Sequence, residues 1–210
     1  VKGTSTAHGK IILEAGGSGG SANNNYMEFN KHDGTKLGEI EIGESVSNGG
    51  SILLKTTPSG GSATTRMTIN HDGIVTKPNT PHMLAQGFSA RVSGTDRNVF
   101  HTVTTNTGNN WNNTTGKFTC PVDGTYLVTA FSGYTQTSDY IGLGIGYNGS
   151  VLSYGWMHPN LARHAQSSVT IMKNASANDY FYYYLHPSYT TPISSSGNEH
   201  HSHLSVYLLG

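Results

Sequence analysis

The sequence predicts an all-β chain in two unlike parts. Nowhere in its 210 residues is there a long apolar stripe at the period of a helix, while short alternating runs bounded by Gly, Pro, Asn and Ser recur throughout. The stretch Pro78-Asn-Thr-Pro81 marks a boundary, because prolines stiffen the backbone and cannot continue a central strand. Composition changes across it: 14 of the 27 glycines precede it, but only one of the 12 tyrosines, Tyr26. The predicted division is therefore 1–81 and 82–210.

The first part carries an internal repeat, at about 9–34 and 50–73. Gly9-Lys-Ile-Ile-Leu-Glu-Ala-Gly-Gly-Ser-Gly-Gly-Ser-Ala22 lines up with Gly50-Ser-Ile-Leu-Leu-Lys-Thr-Thr-Pro-Ser-Gly-Gly-Ser-Ala63. Each copy runs on into Met27-Glu-Phe-Asn30 and His32-Asp-Gly34, or Met67-Thr-Ile-Asn-His-Asp-Gly73. Val, Ile, Leu, Met, Phe and Tyr together number only 18 up to Pro81, too few for a private core. Such a unit buries its apolar side against neighbouring copies or neighbouring chains. A flexible Gly/Ser linker is the alternative, but a linker has no reason to alternate apolar positions. Thr65-Arg-Met-Thr-Ile-Asn-His-Asp-Gly-Ile-Val75 resembles the shaft repeats of bacteriophage tail fibres. That resemblance implies a trimeric β-shaft with strands from three chains wound together.

In the second part the predicted strands are Ala85–Val92, Lys117–Pro121, Gly124–Tyr134, Ile141–Tyr147, Ser150–Tyr154, Ala165–Met172, Asp179–His186 and His201–Leu209. The spacing Phe100-x5-Asn106-x4-Trp111-x6-Phe118-x5-Gly124-x-Tyr126 is the most specific pattern in the chain. It resembles the signature of the C1q-like globular head, which shares its jelly roll with the tumour necrosis factor superfamily. Val128 and Ala130 depart from it, standing where that family usually carries aromatics. The closing Ser202-His-Leu-Ser-Val-Tyr-Leu-Leu209 resembles the family's last strand, and Ala177-Asn-Asp-Tyr-Phe-Tyr-Tyr-Tyr184 stands where its "Gly-Asp-x-Val-x-Val" strand lies. The resemblance implies a ten-stranded jelly-roll head and a homotrimer.

Charge narrows the partners. Charged residues make up 11% and balance at 12 basic and 12 acidic, which gives no electrostatic reason to seek nucleic acid or an anionic membrane. No apolar run approaches the length of a membrane span, so membrane insertion is not expected. Opening on Val1, the sequence is expected to be a fragment with any targeting segment upstream. A single cysteine, Cys120, permits no internal disulfide and is expected as a buried strand thiol. Catalysis is not expected. Gly16-Gly-Ser-Gly-Gly20 matches a nucleophile elbow only in form, with no helix after it, and Gly144-Ile-Gly-Tyr-Asn-Gly149 falls within a strand and turn.

The tyrosine-rich strand predicts a subunit contact. Phe181, Tyr183 and Leu185 share one face of it, and Tyr180, Tyr182 and Tyr184 the other. A single sandwich wets one face, so the second tyrosine face is expected against another subunit, with Tyr207 of the last strand also at the trimer interface. Glu199-His-His-Ser-His203 places His201 and His203 on one side of that strand. By its resemblance to fibre tips, a trimer would bring these histidines around its axis as ligands for a transition-metal ion. A polar strand end without metal is the alternative, and no other cofactor is expected.

The jelly-roll resemblance gathers the loops Thr135–Tyr140, Gly155–His164 and Pro187–His200 at the end far from both termini. Tyr140, Trp156, His158, Asn160, Arg163, His164 and Tyr189 supply rings, amides and cations there, suited to stacking on sugars or anchoring a protein. Together these features predict the receptor-binding distal tip of a phage tail fibre, an extracellular part of the virion that recognises a host-surface carbohydrate or protein. A secreted animal C1q-like ligand or lectin and a purely structural trimerisation cap are the alternatives. Neither collagen Gly-X-Y nor heptads, the usual stalks of the animal proteins, occur here.

Overall fold

The computed structural model describes residues 24–46, 49–93, 95, 97–134, 141–157, 165–186 and 201–210. The chain divides into two units, Val1–Asn79 and Thr80–Gly210. In the first, β1 (Asn24–Asn30), β2 (Lys36–Val46), β3 (Gly49–Thr56), β4 (Thr64–Ile69) and β5 (Val75–Thr76) form one antiparallel sheet in chain order. The two His-Asp-Gly segments of the repeat are two of its turns, between β1 and β2 and between β4 and β5. Asn70 Oδ1 accepts from the backbone N–H groups of Asp72 at 3.1 Å and Ile74 at 2.8 Å, and Gly73 supplies a φ of 79°. Asp33 accepts likewise from Thr35 N–H at 2.9 Å, beside Gly34 at φ 83°. These strands pair within one chain. Short turns make the local pairing entropically cheaper.

The two faces of this sheet differ in kind. On one, Lys36 Nζ lies 2.5 Å from Glu28 and 2.8 Å from Glu39, while Lys55 Nζ lies 2.8 Å from Glu39 and also pairs with Glu41. The Lys36 ammonium, and then that of Lys55, hold the Glu39 carboxyl below its ordinary range. Across the other face, register aligns Met27, Ile40, Leu54 and Met67 in one row and Ile42, Ile52, Ile69 and Val75 in the next.

The second unit is a sandwich of two five-stranded antiparallel sheets. Its strands are β6 (His82–Arg91), β7 (Asn98–Thr107), β8 (Trp111–Asn112), β9 (Lys117–Thr119), β10 (Gly124–Tyr134), β11 (Ile141–Tyr147), β12 (Ser150–Met157), β13 (Ala165–Ala175), β14 (Tyr180–Leu185) and β15 (Ser202–Leu208). One sheet runs β13-β10-β15-β6-β7 and the other β12-β11-β14-β9-β8. The non-sequential neighbours are the mark of a jelly roll. β7 and β8 were not among the predicted strands, because Thr and Asn dominate β7 and β8 is too short to show a period.

The aromatic spacing is a packing pattern. Phe100, Trp111, Phe118 and Tyr126 are all buried between the sheets, with Phe100 5.9 Å from Trp111 and Phe118 6.1 Å from Tyr126, ring centre to ring centre. Asn106 closes the bend before Trp111: its Oδ1 accepts from Trp111 N–H at 2.9 Å and its Nδ2 donates to the Trp111 carbonyl at 3.0 Å. Gly124 leaves room for its neighbours: a Cβ there would stand 2.6 Å from Leu208 Cδ1 and 3.0 Å from the Gly210 carbonyl oxygen. Val128 and Ala130 are buried, opposite Val206 and Leu204. Beside Ala130, the Tyr183 hydroxyl crosses the sandwich and donates to the Phe131 carbonyl at 3.2 Å, so a ring from the facing sheet occupies this part of the core. Cys120 is buried just after β9, where loss of hydration and, secondarily, the charge of Asp179 push its thiol up to about 12.

Candidate functional site

Strand register fixes the two ends of the sandwich. β10 pairs with β13 from Gly124 opposite Ala175 to Tyr134 opposite Ala165. β11 pairs with β12 from Tyr147 opposite Ser150 to Ile141 opposite Met157. Gly124, Ala175 and Tyr147 line one cleft and so share an end; Tyr134, Ile141, Met157 and Ala165 stand at the other. The segments 135–140, 158–164 and 187–200 are attached at that second end. Tyr140, His158, Asn160, Arg163, His164 and Tyr189 belong to these segments and lie outside the described residues. Trp156, expected in a loop, is instead in β12 opposite Gly142, because pairing with β11 carries the strand on to Met157.

At the opposite end an open cleft of about 400 Å³ is lined by Asp123, Thr125, Tyr147, Asn174 and Ser176. Its polar groups are engaged with one another. Asp179 accepts from the Tyr147 hydroxyl, from Asn148 Nδ2 at 2.7 Å and from Ser176 N–H at 2.7 Å. Asp123 accepts from Ala177 N–H at 2.7 Å, and Thr125 donates to Asn174 Oδ1 at 2.7 Å. The Tyr147 contact, more than any other, holds the Asp179 carboxyl below its ordinary range, while burial and the same contact push the Tyr147 phenol up to about 12. A carboxylate with three donors is committed to holding a turn, so Asp179 is not a free base.

The outward side of β15 carries the histidines. Buried Ser202, Leu204 and Val206 alternate with half-buried His201, His203 and Ser205. His203 stacks on Phe131 at 5.3 Å with 16° between planes, and burial lowers its pKa. His201 lies against Gly133, where a Cβ would be 3.4 Å from its Nδ1. Among the described residues, no group of three or more His, Cys, Asp and Glu side chains comes together in a way that could hold a metal.

The second tyrosine face is buried inside the chain. Tyr182 is 3% exposed and Tyr184 5%, so their burial needs no neighbouring subunit. The missed signal was glycine: the Tyr182 ring occupies the space of a Cβ at Gly146, 1.9 Å away, and Tyr184 comes within 3.2 Å of one at Gly144. The same segment ends in Asn148 and Gly149 at φ 49° and 85°, a hairpin turn between β11 and β12. Tyr180 is half-buried, with the Lys117 ammonium 3.9 Å from its ring centre. Tyr207 alone of the four is open, 47% exposed on the outward side of β15 with His82 6.0 Å away.

A family model described as the C1q domain matches residues 85–209. Among solved structures, the globular domain of zebrafish complement 1qA protein is 12% identical with a TM-score of 0.45, covering 62% of this chain and 98% of that one. Murine APRIL is 10% identical with a TM-score of 0.46, covering 61% and 99% respectively. Eiger TNF from S. frugiperda is 14% identical with a TM-score of 0.49, covering 63% and 94%. The search of curated proteins finds no match.

Proposed function

The chain belongs to the C1q domain family, and we propose that it is a homotrimeric adhesin, the receptor-binding distal tip of a bacteriophage tail fibre. One observation carries this reading: the residues before the C1q region form a turn-linked β-sheet over a sequence repeat that resembles fibre-shaft repeats. Its task is binding rather than catalysis. The contact is made by the segments attached beyond Tyr134, Met157 and Leu185, with Tyr140, Trp156, His158, Asn160, Arg163 and Tyr189 as candidate contacts. The ligand is a carbohydrate or protein of the host surface. Three heads on one stem multiply a weak contact, with avidity gains of roughly 10²–10⁴.

A secreted C1q-like ligand is the second reading, favoured because the family match covers the head and not the preceding sheet. Light scattering of the purified chain, followed by fluorescent labelling of bacterial strains, separates the two. A trimer that labels particular strains, and loses labelling but not assembly on Trp156→Ala, is the expected result. A trimer that labels no strain would leave the secreted ligand or a structural cap, and a monomer would overturn the assembly on which both adhesive readings depend.

A further inference from the structure

The N-terminal sheet is inside out for a solitary chain. Two of its acids are covered, Glu39 at 6% and Glu41 at 7% exposed, while Phe29 is 49%, Met27 45%, Ile42 50%, Ile52 38%, Leu54 37% and Val75 50% exposed. Alternation and register place all six of these apolar side chains on one face, with half-buried Ile40, Met67 and Ile69 between them. At the area of such side chains, the bare face amounts to something on the order of 500 Å², the upper end of what a monomer leaves open. It approaches the ~800 Å² that one partner gives to a standard interface. Among the described residues this sheet has no second layer, and a stable domain needs one.

We propose that this face is where copies of the chain pack on one another, apolar face against apolar face. Two features choose a second copy over a foreign partner. The face carries no charged side chain in its two central rows, so it can recognise only another apolar surface, and its own counterpart on a second chain is one of matching size. On the opposite face Glu28, Glu39 and Glu41 gather around Lys36 and Lys55, so that face is left to water. The inference rests on the homotrimer of the proposed function for the number of copies, but not for the surface they use.

Stacked sheets stand ~10 Å apart, too far for a direct disulfide and suited to a bismaleimide of about that span. The native Cys120 is buried and does not compete. In the full-length chain, Leu54→Cys treated with the reagent should give a linked species of two chain masses as the main product, since each chain offers one accessible thiol. Thr68→Cys, opposite Leu53 on the charged side, should stay at one chain mass. Ile52→Cys, in the neighbouring row, serves should Leu54→Cys fail to fold. A light-scattering trimer in which neither Leu54→Cys nor Ile52→Cys links, or in which Thr68→Cys links equally, would overturn this inference and leave the proposed function standing. Linked Leu54→Cys in a protein that labels no bacterial strain would do the reverse. Linkage within one chain, seen only when Ile12→Cys is added to Leu54→Cys, would assign the face to the chain's own first repeat and also overturn it.

Discussion

The two units solve the same problem, a β-sheet with one apolar side, in opposite ways. The C-terminal unit folds a second sheet over the first, so that Phe118, Tyr126, Phe181 and Val128 lie at zero exposure between layers. The described residues of the N-terminal unit form one sheet, and its best-covered side chains include two glutamates held by lysines. Layer number decides which residues end up inside. Where a second layer exists, the hydrophobic effect fills the interior; where it does not, long charged side chains shield one another while the apolar face waits for a partner.

The largest test of this contrast is Phe118→Ala. Removing a ring from a closed two-layer core should cost about 3–5 kcal/mol. In calorimetry only the transition of the C-terminal unit should move, and movement of both would mean that the units do not melt separately. Gly146→Ala should cost less, about 1–3 kcal/mol, because the added methyl meets the Tyr182 ring. Combining it with Tyr182→Ala should recover much of that loss in chemical denaturation; no recovery would show that the glycine serves something other than the ring. Lys55→Gln should be the smallest, about 1 kcal/mol at neutral pH and confined to the N-terminal unit.

The Lys55 effect also has a predictable pH course. Glu39 has a folded pKa held below its ordinary value, chiefly by Lys36 and then Lys55. Its contribution is therefore present above the ordinary carboxylate pKa and disappears as pH falls through the depressed one. Melting curves of the parent and Lys55→Gln proteins should converge in that acid range. A difference that persisted there would assign the role of Lys55 to packing of its stem rather than to charge.

Local chemistry was legible and mutual covering was not. Gly124–Tyr134 and Ile141–Tyr147 matched their predicted limits because Gly, Asp and alternating apolar residues bound them on both sides. β7 escaped because threonine and asparagine fit a strand without marking its buried side, although Asn98 and Phe100 at its start are fully enclosed. The tyrosines of β14 show the limit most clearly. Their alternation was correct, but the inference to a second subunit failed for Tyr182 and Tyr184, because it overlooked the space left by Gly144 and Gly146 on the adjacent strand. The candidate contact residues fared differently again: their positions in the chain were legible, and strand register brings their attachment points to one end, but only Trp156 has a place within a described element.

By itself, the sequence determined the all-β class, the change of character near Pro78–Pro81, the turn within Gly144–Gly149, and the aromatic spacing of the C1q family, all properties of residues close along the chain. Only the tertiary structure decided which faces are covered. It set Tyr182 over Gly146, enclosed Glu39 between two lysines and Glu41 beside one, and left Ile42 and Leu54 bare, because burial depends on what lies across the sheet, and neighbours across a sheet can be far apart in sequence.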